Sequence, residues 1–327
     1  MTVSYLPTRT TETTTSPATI ALDLSALGAP SADPDFASGL PAEHANLVRL
    51  AAYARAAHQG GVSFVSLGDG FRLRSDAAPR ANSWLDPIVA ARRISPSAGG
   101  TGLVPTVQLG RADSAVAAEL SQFNRKTGAW AGLEVTGRRG AATADAAGIP
   151  SLGDHLEHLV RSASRGRRGG SASADLPTVV VPLADESDLD VAGEFADVVR
   201  LRETDLAWAR ELRYAVRSAA RAAGRPPVKV LVDLRAVISA DYQAARVRAD
   251  LLTDIAGGDH GWAGALEAVG TVGDVVTTIE KWLEAGAADG FVVLPGSVPA
   301  DVAGLLRGVI PALRSRGLLE VEAQRVS

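Results

Sequence analysis

Polar residues that could bind a ligand or transfer a proton follow several apolar runs of this sequence. Gly68-Asp69-Gly70 comes directly after the run that ends at Leu67, and Thr106 and Gln108 lie at the end of the run that begins at Gly102. The other members of this set are Thr136, Arg138, Arg139, Asp185, Glu186, Ser187, Asp233 and Arg235. Hydroxyl, carboxylate and guanidinium groups just after buried strands are typical of binding and catalytic sites, because loops on a rigid scaffold carry such groups.

Other chemical patterns in the sequence are weaker. His155 and His158 are three residues apart and could share a helical face as metal ligands, but no third ligand is apparent, and we predict no metal site. Gly68-Asp69-Gly70 is compatible with a simple turn as well as with a binding loop. No glycine pattern for a nucleotide follows a strand, and no Ser-His-Asp arrangement has supporting context. The absence of cysteine excludes disulfides and thiolate nucleophiles.

Composition narrows the class of protein. The 327 residues are 46% hydrophobic, which is enough for one large core, and the formal net charge is −4. This charge gives no reason to expect a nucleic acid or an anionic membrane as a partner. No run approaches 18 apolar residues, so we expect no membrane span. Residues 1–17 are rich in Thr and Ser without the pattern of a signal peptide, so we expect a disordered lead-in and a cytoplasmic protein.

Apolar runs alternate with helix-like stretches from residue 18 onward. Eight runs are predicted as strands, at residues 19–24, 62–67, 102–107, 131–136, 178–181, 197–201, 228–234 and 291–294. Eight βα units in succession favour a (β/α)8 TIM barrel, although alternation alone is also compatible with an open doubly wound sheet. In a barrel the carboxyl ends of the strands meet at one mouth, so the polar residues that follow the strands would converge there.

Further sequence patterns predict individual helices and the extent of the domain. Thr271 and Asp274 predict a capping box, with Val275, Ile279 and Trp282 on the buried face of the helix that follows. A helix that begins near Ala240 is predicted to turn Ala244, Val247, Leu251 and Ile255 inward. We predict one barrel domain over residues 18–320 with a flexible loop near 137–175. Its basic, glycine-rich stretch 161–170 reads as a solvated loop and is also compatible with binding a phosphate or a partner.

Several passages resemble one known family. They are Gly270-Thr271-Val272-Gly273-Asp274-Val275, Gly286-Ala287-Ala288-Asp289-Gly290-Phe291, Leu85-Asp86-Pro87, Thr127 to Thr136, and Ala192 to Val199. In order and spacing they are similar to passages of the luciferase-like flavin-dependent monooxygenases, in the branch of nitrilotriacetate and alkanesulfonate monooxygenases. The resemblance covers roughly Ile20 to Leu318.

The resemblance implies a bacterial-luciferase-like (β/α)8 barrel that oxidises a small organic substrate with FMN, which a separate flavin reductase supplies in reduced form. The cofactor-binding residues it implies are Asp69, Thr106, Val135, Thr136 and Ser187; it assigns no catalytic residue. It also implies a homodimer that is formed by the helices Pro87–Pro96 and Arg111–Lys126, in which small residues such as Ala90 and Ala91 permit close approach.

The departures from the family pattern leave two alternatives open. Ala129, Gly132 and Leu133 stand where the family has arginine, tryptophan and the asparagine that faces the flavin, and the acidic segment 185–190 lies where a phosphate would bind. These changes favour a non-catalytic or cofactor-poor relative that has lost the flavin site. The Ala192-Gly193 pair instead points to a deazaflavin-dependent member. Site residues vary widely in this family, so we favour a flavin-dependent oxidoreductase over both.

Overall fold

The computed structural model describes most of the predicted barrel. The described residues are 17–27, 47–68, 71, 73–74, 84–85, 87–108, 132–136, 156–157, 178–183, 188–256 and 262–319. Residues 1–16 and the predicted loop near 137–175, apart from residues 156–157, lie outside this part of the chain. The predictions of a single domain over residues 18–320, of the lead-in and of the loop therefore stay predictions.

Eight parallel strands close into a barrel, as the sequence predicts. The order around the barrel is β1-β2-β5-β6-β7-β8-β9-β11, and β11 returns to β1, with Ile20 opposite Phe291 and Leu22 opposite Val293. The strands in chain order are β1 Thr19–Asp23, β2 Phe64–Leu67, β3 Leu73–Arg74, β4 Trp84–Leu85, β5 Gly102–Gln108, β6 Gly132–Thr136, β7 Thr178–Leu183, β8 Val198–Leu201, β9 Lys229–Ile238, β10 Leu266–Gly270 and β11 Gly290–Pro295. The prediction of a closed (β/α)8 barrel is confirmed.

Helices cover the outside of the barrel. In chain order they are α1 Leu47–Gly60, α2 Pro87–Ile94, α3 Asp188–Phe195, α4 Leu206–Ala222, α5 Tyr242–Ala256, α6 Val272–Glu284, α7 Val298–Gly304 and α8 Ile310–Ser315, with a π-helical turn at Leu305–Val309 and short 3₁₀ turns at Ser25–Leu27 and Ser95–Ser97. The Thr271–Asp274 capping box is present, and Gly317 ends the last helix with a φ of 71°. Among the described residues, no helix is both long and apolar enough to cross a bilayer.

Three strands lie outside the predicted set. β3 and β4 form a short antiparallel hairpin. β10 extends the sheet beyond the barrel: the first half of β9 pairs with β8, from Lys229 to Val232, and the second half pairs with β10, from Leu234 to Ile238. β9 is therefore longer than predicted: Leu234, Arg235 and Ala236 remain paired with β11 on one edge of the strand and pair with β10 on the other.

The prediction for α5 is wrong. Val247, Leu251 and Ile255 are 59%, 56% and 74% exposed, whereas the small residues Ala245 and Ala249 are buried. α5 packs mainly on β9 and β10, and a helix that lies close against strands does so through small side chains. The regularly spaced large apolar residues of this helix therefore lie on its exposed face.

The predicted dimer surface is partly used within one chain. Ala90 and Ala91 of α2 are completely buried against this chain's own core, so they offer no surface to a second copy. The other helix of the predicted interface, Arg111–Lys126, lies outside the described residues.

Candidate functional site

The barrel interior contains an apolar layer with a charged layer above it. The apolar layer consists of Ala21, Phe64, Val104, Val180, Val198, Leu231 and Val292. Side chains two residues further along a strand face the same way, one step closer to the carboxyl ends. Five of those seven positions carry polar or charged residues, all of which are buried, namely Asp23, Ser66, Thr106, Arg200 and Asp233; the other two are Pro182 and Leu294. The charged layer therefore forms the floor of the barrel mouth, the end at which barrel enzymes bind their ligands.

Arg200 lies at the centre of this layer. Its Nη2 donates to Asp23 Oδ2 at 3.0 Å, its Nη1 donates to Glu134 Oε2 at 3.0 Å, and its Nε donates to Asp233 Oδ1. The side chain is only 7% exposed. One guanidinium thus pairs with carboxylates from three other strands, which the planar fork of arginine donors allows and a lysine ammonium could not reproduce.

The remaining carboxylate oxygens in the layer are also satisfied. Ser66 Oγ donates to Asp23 Oδ2 at 2.8 Å, the Ser25 amide donates to Asp23 Oδ1 at 2.8 Å, and Thr106 Oγ1 donates to Glu134 Oε1 at 3.0 Å. Buried charges are tolerated when they are paired and every lone pair finds a donor. The layer is therefore a closed hydrogen-bonded network, and it leaves no carboxylate oxygen free to act as a base.

The network holds Asp23 and Arg200 in their charged forms. Burial by itself raises the pKa of Asp23, but the Arg200 guanidinium and the hydrogen bonds from Ser25 and Ser66 outweigh it, so this pKa lies below its usual range. Burial lowers the pKa of Arg200, while Asp233, Glu134 and Asp23 raise it well above its usual value. Arg200 therefore remains a cation and cannot act as an acid at neutral pH.

Arg202 is the charged group of this cluster that reaches the mouth. Its Nε donates to the second oxygen of Asp233, Oδ2, at 2.7 Å, and its side chain is 30% exposed. It directly follows β8, one step above Arg200, and its two Nη groups have no partner among the described residues. Asp233, which is 1% exposed, links the buried Arg200 to this partly exposed arginine.

The sequence predicted a role for Asp233 and Arg235, and the structure separates the two. Asp233 belongs to the charged layer. Arg235 lies where β9 is flanked by β10 and β11, and its side chain donates to Glu267 Oε1 at 2.7 Å and to Thr253 Oγ1 at 2.9 Å and packs over the ring of Trp262 at 4.7 Å. It borders a crevice of about 460 Å³ together with residues of α5 and β10.

The predicted cofactor residues fall in different places. Thr106 is 4% exposed, and its hydroxyl group donates a hydrogen bond to Glu134. Thr136 is half-buried at the end of β6, and its Oγ1 lies 3.5 Å from the Val107 carbonyl oxygen. Val135 is completely buried among side chains of the outer core. Asp69 and Ser187, like Arg138, Arg139, Asp185 and Glu186, lie outside the described residues. The prediction that Asp69, Thr106, Val135, Thr136 and Ser187 contact a flavin therefore stays a prediction.

The structure gives another explanation for two positions that were compared with the family pattern, Leu133 and Gly193. Leu133 belongs to the outer core, on the opposite face of β6 from Glu134, so the expectation that it stands in the flavin-facing position is wrong. Gly193 of α3 lies against α4, where a Cβ would come within 2.4 Å of Ala219 Cβ. Close helix packing thus explains this glycine without a deazaflavin. Ala129, His155 and His158 lie outside the described residues.

Sequence reasoning missed most of the charged layer. Asp23, Ser66, Glu134, Arg200 and Arg202 were not among the predicted site residues. The available signal was a lone charged residue inside an apolar strand, as in Ala-Leu-Asp-Leu at 21–24 and Val-Val-Arg-Leu at 198–201. Such a residue is rarely buried unless it is paired, so three lone acids and one lone arginine in separate strands predict mutual pairing. Among the described residues, no cluster of histidine or carboxylate side chains is arranged to hold a metal ion.

Comparison with known proteins identifies the fold. No family model matches the sequence, and no curated protein matches it. Among solved structures, the long-chain alkane monooxygenase LadA superposes with a TM-score of 0.70 at 13% identity, over 95% of this chain and 94% of LadA. The chain has a luciferase-like fold.

Two further luciferase-like structures show the same extent of agreement. The riboflavin lyase RcaE, solved with modified FMN and riboflavin, matches with a TM-score of 0.69 at 18% identity over 93% of both chains. The EDTA monooxygenase EmoA from Chelativorans sp. BNC1 matches with a TM-score of 0.68 at 17% identity over 93% of this chain and 95% of that one. The luciferase-like barrel fold expected from the sequence resemblance is therefore confirmed.

Proposed function

We propose that this protein is a flavin-dependent oxidoreductase, a monooxygenase that acts on a small organic molecule at the mouth of its luciferase-like barrel. The observation that carries the proposal is the charged layer beneath that mouth: a fixed polar floor with one arginine, Arg202, that still offers donors to a ligand. The nearly complete match to barrels such as the riboflavin lyase solved with modified FMN supports FMN as the cofactor. A separate reductase that supplies reduced FMN is part of the same proposal.

The residues around the mouth fit an elongated anionic cofactor. Thr136 at the end of β6 lies on one side of the barrel, while Arg202 at the end of β8 offers its Nη groups two strands further round. A flavin ring beside Thr106, Thr136 and Asp69 would place the phosphate toward Arg202, whose guanidinium suits phosphate oxygens. Ser187, which comes after β7 in the sequence, remains a candidate for the same phosphate.

In this proposal the protein orients the reactants and controls the electrostatics. When bound, reduced flavin supplies the electrons that activate dioxygen. Asp233 holds Arg202 in place, and Arg200 holds Asp233, so the donor at the mouth is preorganised by buried ion pairs. Thr106 holds Glu134 in its position below the cofactor. The apolar layer beneath closes the bottom of the barrel to water.

A second candidate function is a cofactor-poor relative that keeps the barrel without catalysis. The closed network favours it, because every carboxylate oxygen in the charged layer already accepts a hydrogen bond and none is free for acid–base chemistry. In this case the ion pairs specify the fold. The acidic segment 185–190 near the expected phosphate position points the same way.

Titration of the purified full-length protein with FMN, riboflavin and a deazaflavin, followed by flavin fluorescence, separates the candidates. Micromolar binding of FMN, and a rate of reduced-FMN oxidation that differs from the rate without the protein, would support the flavin enzyme, because free reduced FMN consumes oxygen by itself. Binding of the deazaflavin in preference to FMN would support the deazaflavin-dependent alternative. No binding of any of the three would overturn the enzyme proposal in favour of the cofactor-poor relative.

We also propose a homodimer. Ala90 and Ala91 are buried in this chain, so the contact would have to come from other residues of α2 and from the segment Arg111–Lys126. Sedimentation at micromolar concentration tests this, and a monomer there would reject it.

A further inference from the structure

A crevice opens beside the barrel where β9 changes partner. β8 pairs with β9 up to Val232, and β10 begins to pair with it at Leu234, so the two neighbouring strands diverge at this point. The space between them measures about 460 Å³ and is bordered by Thr204, α5 and the residues that precede β10. In α/β sheets, crevices between diverging strands are preferred ligand sites, and this volume is in the usual range for small molecules.

Arg235 lies at the base of the crevice with one donor unused. The residue is 4% exposed; its Nη1 donates to Glu267, and its Nη2 donates to the Ala249 carbonyl at 3.1 Å and to Thr253. Its Nε is buried and has no hydrogen-bond partner. A buried donor without an acceptor destabilises a protein, so a shift of the Arg235 side chain that brings Nε to a ligand oxygen in the crevice would be favoured.

The rim of the crevice carries free charges of both signs. Arg246 and Asp250 lie one helical turn apart on α5, both are exposed, and neither forms an ion pair with a described residue. Glu267 is 51% exposed and uses only Oε1 in its contact with Arg235. With two arginines and two carboxylates, the lining has no net formal charge, whereas its separate groups offer positive and negative contacts.

We propose that this crevice binds a small zwitterion of the amino-acid class, at a site separate from the barrel mouth. The carboxylate of the ligand accepts from Arg246 and, after a shift of the Arg235 side chain, from Arg235 Nε, while its ammonium group lies against Asp250 and the free oxygen of Glu267. Trp262, Ala263 and Ala265 provide an apolar wall for the rest of the molecule. A simple anion would meet two carboxylates and a simple cation would meet Arg246, so only a ligand with both charges is complementary.

Isothermal titration of the full-length protein with glycine tests the site, with acetate and methylammonium as ligands that carry one charge each. Glycine should bind at least tenfold more tightly than either. Arg246→Gln should weaken glycine binding roughly tenfold or more, the range expected for a hydrogen bond between charged groups. Arg221→Gln, an exposed arginine of α4 that is not in the crevice, is the matched control and should leave binding unchanged.

No binding of glycine, equal binding of all three probes, or equal affinities for the two variants would overturn the proposal. Because no flavin takes part, this result is independent of the proposed oxidoreductase activity. Arg246 is exposed and forms no hydrogen bond or ion pair with a described residue, so its replacement should not unfold the protein, and an unchanged urea midpoint confirms this.

Discussion

The backbone of Gly290 lies directly against that of Thr19, with no room for a side chain. A Cβ built on Gly290 would stand 1.9 Å from the Thr19 carbonyl oxygen, and the two residues face each other where β11 pairs with β1. This is the seam at which the last strand closes the barrel on the first. The closure therefore depends on a glycine at the start of β11.

Gly290→Ala should destabilise the protein. The methyl group would collide with the main chain of β1, so the seam has to open, and we expect a loss of about 1–3 kcal/mol or more. Urea denaturation measures it, with Gly273→Ala in the first turn of α6 as the control, because a Cβ there would meet its nearest atom at an ordinary 3.6 Å. Equal midpoints for the two variants would show that the seam adapts.

Arg200→Met should be among the most damaging substitutions in the chain. It would leave Asp23, Glu134 and Asp233 buried around an apolar side chain, and breaking a buried ion pair costs about 3–5 kcal/mol. Adding Glu134→Gln to this variant should recover part of the loss, since one buried charge disappears. A single variant within ~1 kcal/mol of the parent in chemical denaturation would argue that water enters the layer.

The stability of the protein should fall in acid through Asp23. Its pKa in the folded state is below the unfolded value, so between the two values the unfolded chain binds more protons and stability rises with pH. The contribution is fully present above pH ~4, where an unfolded aspartate is ionised, and it is lost as the pH falls through the lower folded pKa. Urea midpoints over a pH series should show a shallower acid slope for Asp23→Asn than for the parent; parallel slopes would assign the acid sensitivity to other carboxylates.

Arg202→Gln should distinguish FMN from riboflavin. If Arg202 holds the phosphate, the variant should bind FMN about tenfold more weakly, the effect of losing one charged hydrogen bond, while riboflavin, which has no phosphate, binds as before. Fluorescence titration provides both affinities, and Arg221→Gln serves as the control for a general loss of positive charge. An equal loss for both flavins would place Arg202 beside the ring, and no loss for either would remove it from the cofactor site.

Local periodicity and capping were sufficient to predict the helices and strands that belong to the repeating barrel pattern. Buried β strands, the Thr271–Asp274 cap and the stop at Gly317 each depend on neighbours a few residues away, so they could be predicted from the sequence. The resemblance to luciferase-like proteins rested on the same segments. α5 and β10 were missed or misoriented, because they pack on an extension of β9 outside the repeating barrel pattern.

The sequence by itself determined the alternation of eight strands with helices, and with it the barrel and the end at which a site would lie. Only the tertiary structure decided which charges meet. Arg200 and Asp23 are 177 residues apart in the chain, and Arg200 and Glu134 are 66 apart. No local pattern couples such positions. Their pairing follows from the closure of the barrel, which turns one inward position of each strand toward a common centre where buried charges are stable only together.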